Sequence, residues 1–416
     1  MPNLIEAREF WLRPLSRQAV APFLYTTPPM KKFVLKKIAV ATTAAVLLGP
    51  VQSLFACTSL LYTDANGAHY AGRTLELPLE MPYQVRFTPQ NTTFGSEAAH
   101  HHALDFKSKY AFLSINVPDP LNKELKVVDG MNEKGLNFGM LAYATTDGPA
   151  DHFQTNQAVL AAIDLGAWTL AQFATVAEVK EALEAQPVLV TALLPLGLMK
   201  TPFHYTLHDA TGASIVVEFS NGQQHVYDNP VGVMTNSPSL PWHLTNLGNY
   251  TYLNNMDKST AEFNGQHFSQ PDSGIATEGL PSSNTSVGRF VRAVYYSQFT
   301  EKVKTPEKAV NTLAHIMNNF DRPRGATVYS RIGASAMDML APSVGDNPDH
   351  ISEYTSWITL SDLQQGHYYV RTYADLNYGR LDLAPLIKNG KTKQIALDKL
   401  DHTKGLDLTE QLLQAS

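Results

Sequence analysis

One cysteine, Cys57, stands in 416 residues. A single thiol cannot pair within its own chain, so an internal disulfide is excluded. A basic surplus is missing as well. The 32 Lys and Arg are outnumbered by 38 Asp and Glu, for a formal net charge of −6. With no basic stripe, a nucleic-acid surface is excluded. The apolar run from Ile38 to Val51 falls short of the ~20 residues that a membrane-spanning helix needs. The chain carries no repeat at solenoid periods and no low-complexity linker. It also lacks H-E-x-x-H, G-x-S-x-G and a Walker-type glycine loop, which leaves zincin, nucleophile-elbow and P-loop chemistry without a signature.

What is present begins at Met30. Lys31, Lys32, Lys36 and Lys37 form a basic start, "IAVATTAAVLLGPV" follows, and Ala56 is a small residue at the junction. These are the parts of a secretory signal peptide over residues 30–56, with Leu54 departing from the A-x-A preference. A membrane anchor, a buried core helix and a misread cytosolic amino terminus are the competing readings of the run. Residues 1–29 do not fit a basic start and read as an upstream extension. Export and cleavage after Ala56 would leave a periplasmic chain of residues 57–416 with Cys57 first, and no membrane contact once the signal is removed.

An amino-terminal cysteine carries nucleophile and base on one residue. Its α-amine titrates near 7.7–8.0 in a peptide, so part of it is neutral at working pH and can take the thiol proton. Two plainer readings compete. "LFAC" resembles a lipobox, in which Cys57 would tether a lipid-anchored binding protein, and a lone cysteine is often a small buried hydrophobe. Lipoproteins usually continue with a flexible polar linker. Here "CTSLLYTDANGAHYAGRTLEL" follows at once and reads as two strands around a turn.

Asp64-Ala65-Asn66-Gly67 has the type I preferences, Asp first and Gly fourth. A type I turn followed by left-handed Gly67 gives a three-residue hairpin loop. Leu61 then faces Ala71 and Ser59 faces Arg73. Alternation puts Cys57, Ser59 and Arg73 on one face, where the guanidinium favours thiolate. A two-residue Asn-Gly turn would send Arg73 to the other face.

Further on, Asn132–Gly135 reads as a turn into a strand. "NQAVLAAIDLGAWTLAQFA" has helical spacing. Thr175 and Glu178 make a capping box. Residues 204–229 read as strands joined at Asp209–Gly212 and Asn221-Gly222, and 354–376 as another hairpin. Thr305-Pro306 opens a helix to about Asn319. Strands and helices in blocks suggest antiparallel sheets with helices packed outside, an α+β fold. His100-His101-His102 reads as a solvated loop, because neighbouring side chains on an extended chain cannot all face one ion.

Six segments then follow in order: Cys57-Thr58-Ser59, "GRTLEL" at 72–77, "DGMNEKGL" at 129–136, "TNSPSLPWH" at 235–243, "GRFVRAVYY" at 288–296 and "YTSWITL" at 354–360. In order and spacing they resemble the choloylglycine hydrolase family, which holds conjugated bile acid hydrolases and penicillin V acylases. The resemblance spans nearly all of 57–416. It implies one N-terminal nucleophile hydrolase domain, an αββα sandwich of two antiparallel sheets with outer helices. Such enzymes cleave linear amides and need no cofactor and no metal.

Residue by residue, the resemblance makes Cys57 the nucleophile and its amine the base. Arg73 matches the arginine beside the thiol, Asn236 the asparagine whose side-chain N–H meets the oxyanion, and Arg289 the second active-site arginine. Two positions depart. The family's aspartate is Glu76 here, one methylene longer, which can still hold the amine. The position often Asn or Tyr falls on Ala142, which leaves only a backbone N–H for the oxyanion. Losing one such donor can cost roughly 10²–10³ in rate. Leu79, Met81 and Tyr143 read either as an apolar acyl pocket or as ordinary core.

The signal and "GRTLEL" resemble the Gram-negative branch of the family. The substrates expected are therefore small acyl amides such as penicillin V or N-acyl homoserine lactones, with conjugated bile salts second. A homotetramer is common in the family, although no segment here demands one.

Overall fold

The computed structural model describes residues 56–119, 124–193, 199–331 and 338–403. The signal-peptide segment and the upstream extension lie outside the described residues.

Strands Ala56–Thr63 and His69–Leu77 form the hairpin that the turn predicts. The Asp64 carboxylate closes it, accepting the backbone N–H of Asn66 at 2.8 Å and of Ala68 at 2.9 Å. Gly67 takes φ 81°, a conformation open to a residue without Cβ. Ser59 pairs with Arg73 and Leu61 with Ala71, as expected from the three-residue loop.

This hairpin lies inside a six-stranded antiparallel sheet. Its order is Val233–Met234, Ala56–Thr63, His69–Leu77, Tyr354–Asp362, His367–Thr372 and Gly379–Asp382. The second sheet has eight strands, in the order Gln223–Asp228, Ser214–Ser220, Phe203–His208, Asn137–Ala142, Leu125–Asn132, Phe112–Pro118, Gln84–Thr88 and Lys393–Ala396. It too is antiparallel throughout. Its turns follow the sequence signals. The Asn132 side chain accepts the N–H groups of Lys134 and Leu136, and Asn221-Gly222 joins two strands with both residues at positive φ.

Helices cover the outside of each sheet. Ser286–Phe299 and Pro306–Asn318 pack on the hairpin sheet, Leu165–Gln172 and Val176–Ala185 on the other. The result is the expected αββα sandwich. Thr175 caps its helix by accepting the Glu178 N–H at 3.2 Å, and Thr305 does the same for Lys308 at 3.4 Å. The Glu178 side chain reaches back one residue further than a standard capping box, to the Ala174 N–H at 2.7 Å.

One element is shorter than its pattern predicts. Of the helically spaced stretch 156–174, only Leu165–Gln172 is α-helix. Leu160 and Ala161 pair instead with Val188 and Leu189 as a short parallel ladder. Here a tertiary pairing overrides local periodicity.

Candidate active site

Side-chain alternation in Ala56–Thr63 sends Cys57 and Ser59 between the two sheets and Thr58 toward the helix Ser286–Phe299. The Cys57 side chain is buried, at 3% exposure. Arg73 shares its face, with Nη2 3.8 Å from Sγ. Nη2 also donates to the Met140 carbonyl, and Nη1 to the Val128 carbonyl at 2.6 Å and to Asp129 Oδ2 at 3.5 Å. Gly139 leaves the room this requires, because a Cβ there would lie 3.3 Å from Arg73 Cδ and 3.1 Å from Thr206 Oγ1. Trp357 lies against the guanidinium, 5.0 Å from ring centroid to Cζ.

The expected cation is therefore beside the thiol, but it does not set the net balance. Burial pushes the Cys57 thiol up. Arg73 pulls it down, Glu76 adds to the rise, and the Ala142 backbone N–H favours thiolate; the sum lies above the ordinary value.

Arg289 comes from the opposite face. Its Nη1 donates to the Cys57 carbonyl and to Thr58 Oγ1 at 2.8 Å, its Nη2 to Asn236 Oδ1 at 2.7 Å, and its Nε to the Asn284 carbonyl at 3.1 Å. These contacts fix Asn236. With Oδ1 held by Arg289, the same oxygen accepts the Cys57 N–H at 2.8 Å, and Nδ2 donates one hydrogen to the Ala142 carbonyl at 2.9 Å. One N–H of Nδ2 is left over. Arg289 thus touches the backbone of Cys57 rather than its sulfur.

Glu76 stands across the ladder from Ala56, at a register shift between Leu75 and Glu76 that re-aims the strand. Its Oε1 accepts Thr355 Oγ1 at 3.3 Å, while Oε2 has no hydrogen-bond partner among the described residues. The Cys57 nitrogen bonds Asn236, not Glu76. Burial raises the Glu76 carboxyl, against the pull of Arg322 and Arg289. Glu353 joins this group. It pairs with Arg322, and burial pushes its carboxyl up to about 7 even though Arg322 and the Ala56 N–H favour its charged form.

A family model described as linear amide C–N hydrolases, choloylglycine hydrolase family, matches residues 57–389. The chain belongs to the choloylglycine hydrolase family. It is an amidohydrolase of linear C–N bonds. The bile salt hydrolase/transferase of Clostridium perfringens (strain 13 / Type A) is 27% identical over 329 residues, 79% of this chain and 92% of that protein. The penicillin V acylase of Pectobacterium atrosepticum is 26% identical over 344 residues, 82% of this chain and 84% of that one. A mutant conjugated bile acid hydrolase from Clostridium perfringens has the same fold, with TM-score 0.68 at 24% identity, covering 83% of this chain and 99% of that one.

Within this family member, Cys57, Arg73, Glu76, Ala142, Asn236 and Arg289 gather around the start of one strand. Tyr143 is buried and stacks on His204, ring centroids 4.9 Å apart. Met81 packs partly buried against the core, and Leu79 is half-buried. Tyr83, two residues beyond Met81, was not expected. It is buried, feels the charges of Arg73 and Cys57, and packs edge-on against Trp357 at 5.7 Å.

Asp129 is the other unexpected member. Buried at 1% exposure, it takes Arg73 on one oxygen, and Thr359 (3.2 Å) and the Tyr368 hydroxyl on the other. An acid inside the apolar run "VVDGM" was the signal available for it, since a buried charge needs a partner. His101 also departs from the solvated loop expected, whereas His100 and His102 are exposed as that reading has them. The His101 side chain is fully buried and bonds Asp151.

Proposed function

We propose that the protein is exported to the periplasm, cleaved before Cys57, and hydrolyses N-acyl amides such as penicillin V or N-acyl homoserine lactones with Cys57 as amino-terminal nucleophile. The observation that carries this reading is the placement of Cys57. Its nitrogen lies 2.8 Å from Asn236 Oδ1, and its sulfur lies 3.8 Å from a buried arginine. With Ala56 attached that nitrogen is an amide; after cleavage the same atom is an amine.

In the proposed reaction the amine takes the thiol proton as sulfur attacks the acyl carbon. The carbonyl π electrons move to oxygen, and the Ala142 N–H and the spare Asn236 N–H meet the oxyanion. The intermediate collapses, the C–N bond breaks, and the ammonium proton passes to the leaving amine. Water then attacks the thioester, giving the carboxylic acid and restoring the thiol. Glu76 and Glu353 keep the ammonium stage electrostatically supported. Homotetrameric assembly belongs to the same reading.

A second reading, hydrolysis of conjugated bile salts, is favoured by the Clostridium relative, which aligns over 92% of its own length. Comparing kcat/KM on penicillin V, a medium-chain acyl homoserine lactone and glycocholate decides between them. The first two should be turned over faster, and preference for glycocholate would overturn the order. Cys57→Ser should fold yet lose activity roughly 10³-fold or more, because a hydroxyl carries essentially no anion at neutral pH. Wild-type turnover in that variant would reject Cys57 as nucleophile.

A further inference from the structure

Away from this site, the loop after strand Thr93–Ser96 runs beside the loop that follows Asn137–Ala142, joined by an isolated bridge from His102 to Ala158. Ala99 takes φ 53°, uncommon for a residue with Cβ. That turn cancels the usual alternation. The rings of His100 and His101 stack, with centroids 4.5 Å apart and 30° between planes. Both lean on Asp151. His101 Nε2 is 2.7 Å from Oδ1, and His100 Nε2 is 3.8 Å from Oδ2.

The proton count of His101 is the informative point. Its Nδ1 lies 3.1 Å from the Gln154 carbonyl oxygen. A carbonyl only accepts, so Nδ1 carries the hydrogen. In the neutral ring, the Nε2 lone pair then faces a carboxylate oxygen that also only accepts. Two acceptors 2.7 Å apart need a cation, either a second proton or a metal ion. A second proton joins His101 to Asp151 and leaves His100 out. A metal ion serves His101, the stacked His100 and the carboxylate together.

We propose that His100, His101 and Asp151 bind a divalent transition metal of the zinc type, which clips the loop following Ala142 to the loop bearing the histidines. Each candidate ligand atom lies within 4.8 Å of the others. A tetrahedral zinc site, with bonds of about 2.0–2.2 Å, spaces its ligand atoms about 3.3–3.6 Å apart. His101 and Asp151 open slightly to reach this, and His100, whose side chain is 63% exposed, has the freedom to close in. The Nδ1–H bond to a backbone carbonyl is the support that orients ligating histidines. Two imidazoles and one carboxylate suit zinc, copper or nickel; magnesium and calcium prefer oxygen. Three protein ligands leave a position for water.

The test is calorimetric titration of zinc chloride into tag-free, chelator-treated protein carrying Cys57→Ser, so that the thiol cannot be the site. One zinc per chain should bind at micromolar Kd or tighter and raise Tm, with no response to magnesium. His100→Ala and Asp151→Asn, which alter exposed or half-exposed side chains, should each weaken binding roughly tenfold or more. Cobalt substitution should give visible d–d bands without a thiolate charge-transfer band. Absence of stoichiometric binding, or unchanged affinity in both variants, would overturn the proposal and leave an imidazolium–carboxylate pair.

Discussion

Arg73 and Arg289 reach the strand Ala56–Thr63 from opposite faces; one meets the sulfur of Cys57, the other its backbone. Both are buried, and burial works against both charges. For Arg73, the opposing pull of Cys57 and Asp129 outweighs burial, and its pKa rises. Among the described residues Arg289 bonds only neutral acceptors, and burial together with Arg322 pushes it down to about 10. Arg73 therefore acts as a fixed charge anchored by its own carboxylate, and Arg289 as a clamp that sets the backbone and the Asn236 amide. The face between the sheets supplies electrostatics to the sulfur. The helix face supplies position.

Removing Arg73 should break this comparison most strongly. Arg73→Ala leaves Asp129 buried without its cation, which should cost about 3–5 kcal/mol in denaturant unfolding. It should also move the thiol pKa further up, read from the pH dependence of Cys57 alkylation. A stable variant with an unchanged alkylation profile would show that Arg73 does not act on the sulfur.

His208 sharpens the same face. Its Nε2 contacts Ser59 Oγ at 3.2 Å, and burial lowers its pKa from 6.5 to about 4. The unfolded chain therefore binds a proton that the folded chain refuses between these values. The stability involved is fully present above pH 6.5 and is lost as pH falls toward 4. The loss amounts to roughly 3 kcal/mol. His208→Asn should flatten that part of the stability–pH curve, leaving a slope from His243, which is also lowered to about 4. Urea midpoints measured from pH 7.5 downward check this, and an unchanged slope would contradict it.

The smallest effect is expected on the helix face. Arg289→Ala orphans neutral hydrogen-bond acceptors, which costs about 1–3 kcal/mol, and removes its pull on the buried Glu76 and Glu353 carboxyls. It should lower kcat through a loosened Asn236 while moving the alkylation pKa less than Arg73→Ala does. An equal or larger pKa shift would erase the distinction between the two arginines.

Much of this site was legible because its signals are local. Asp64 and Gly67 specify a loop length, loop length specifies register, and register puts Arg73 beside Cys57. The helix caps at Thr175 and Thr305 are local in the same way. What was not legible depends on the whole fold. The direction of the thiol pKa is decided by burial, which no spacing reveals. Asp129 and Glu353 matter through partners far along the chain, and Leu160 leaves its helical pattern because Val188 offers a ladder. His100 and His101 stack just after Ala99 turns to positive φ, which no local pattern announced. For Tyr143 the sequence left acyl pocket and core open, and its stacking on His204 comes from the neighbouring strand Phe203–His208.

The central claim is that Cys57 works as a free amino-terminal residue. Intact mass and amino-terminal sequencing of the active protein, paired with turnover of the same sample, test it most directly. The active species should begin at Cys57 with an unblocked α-amine, and a form keeping one residue ahead of Cys57 should be inactive until that residue is removed. Full turnover by protein whose mass shows the extra residue, or a lipid-blocked Cys57 in the active species, would contradict the account.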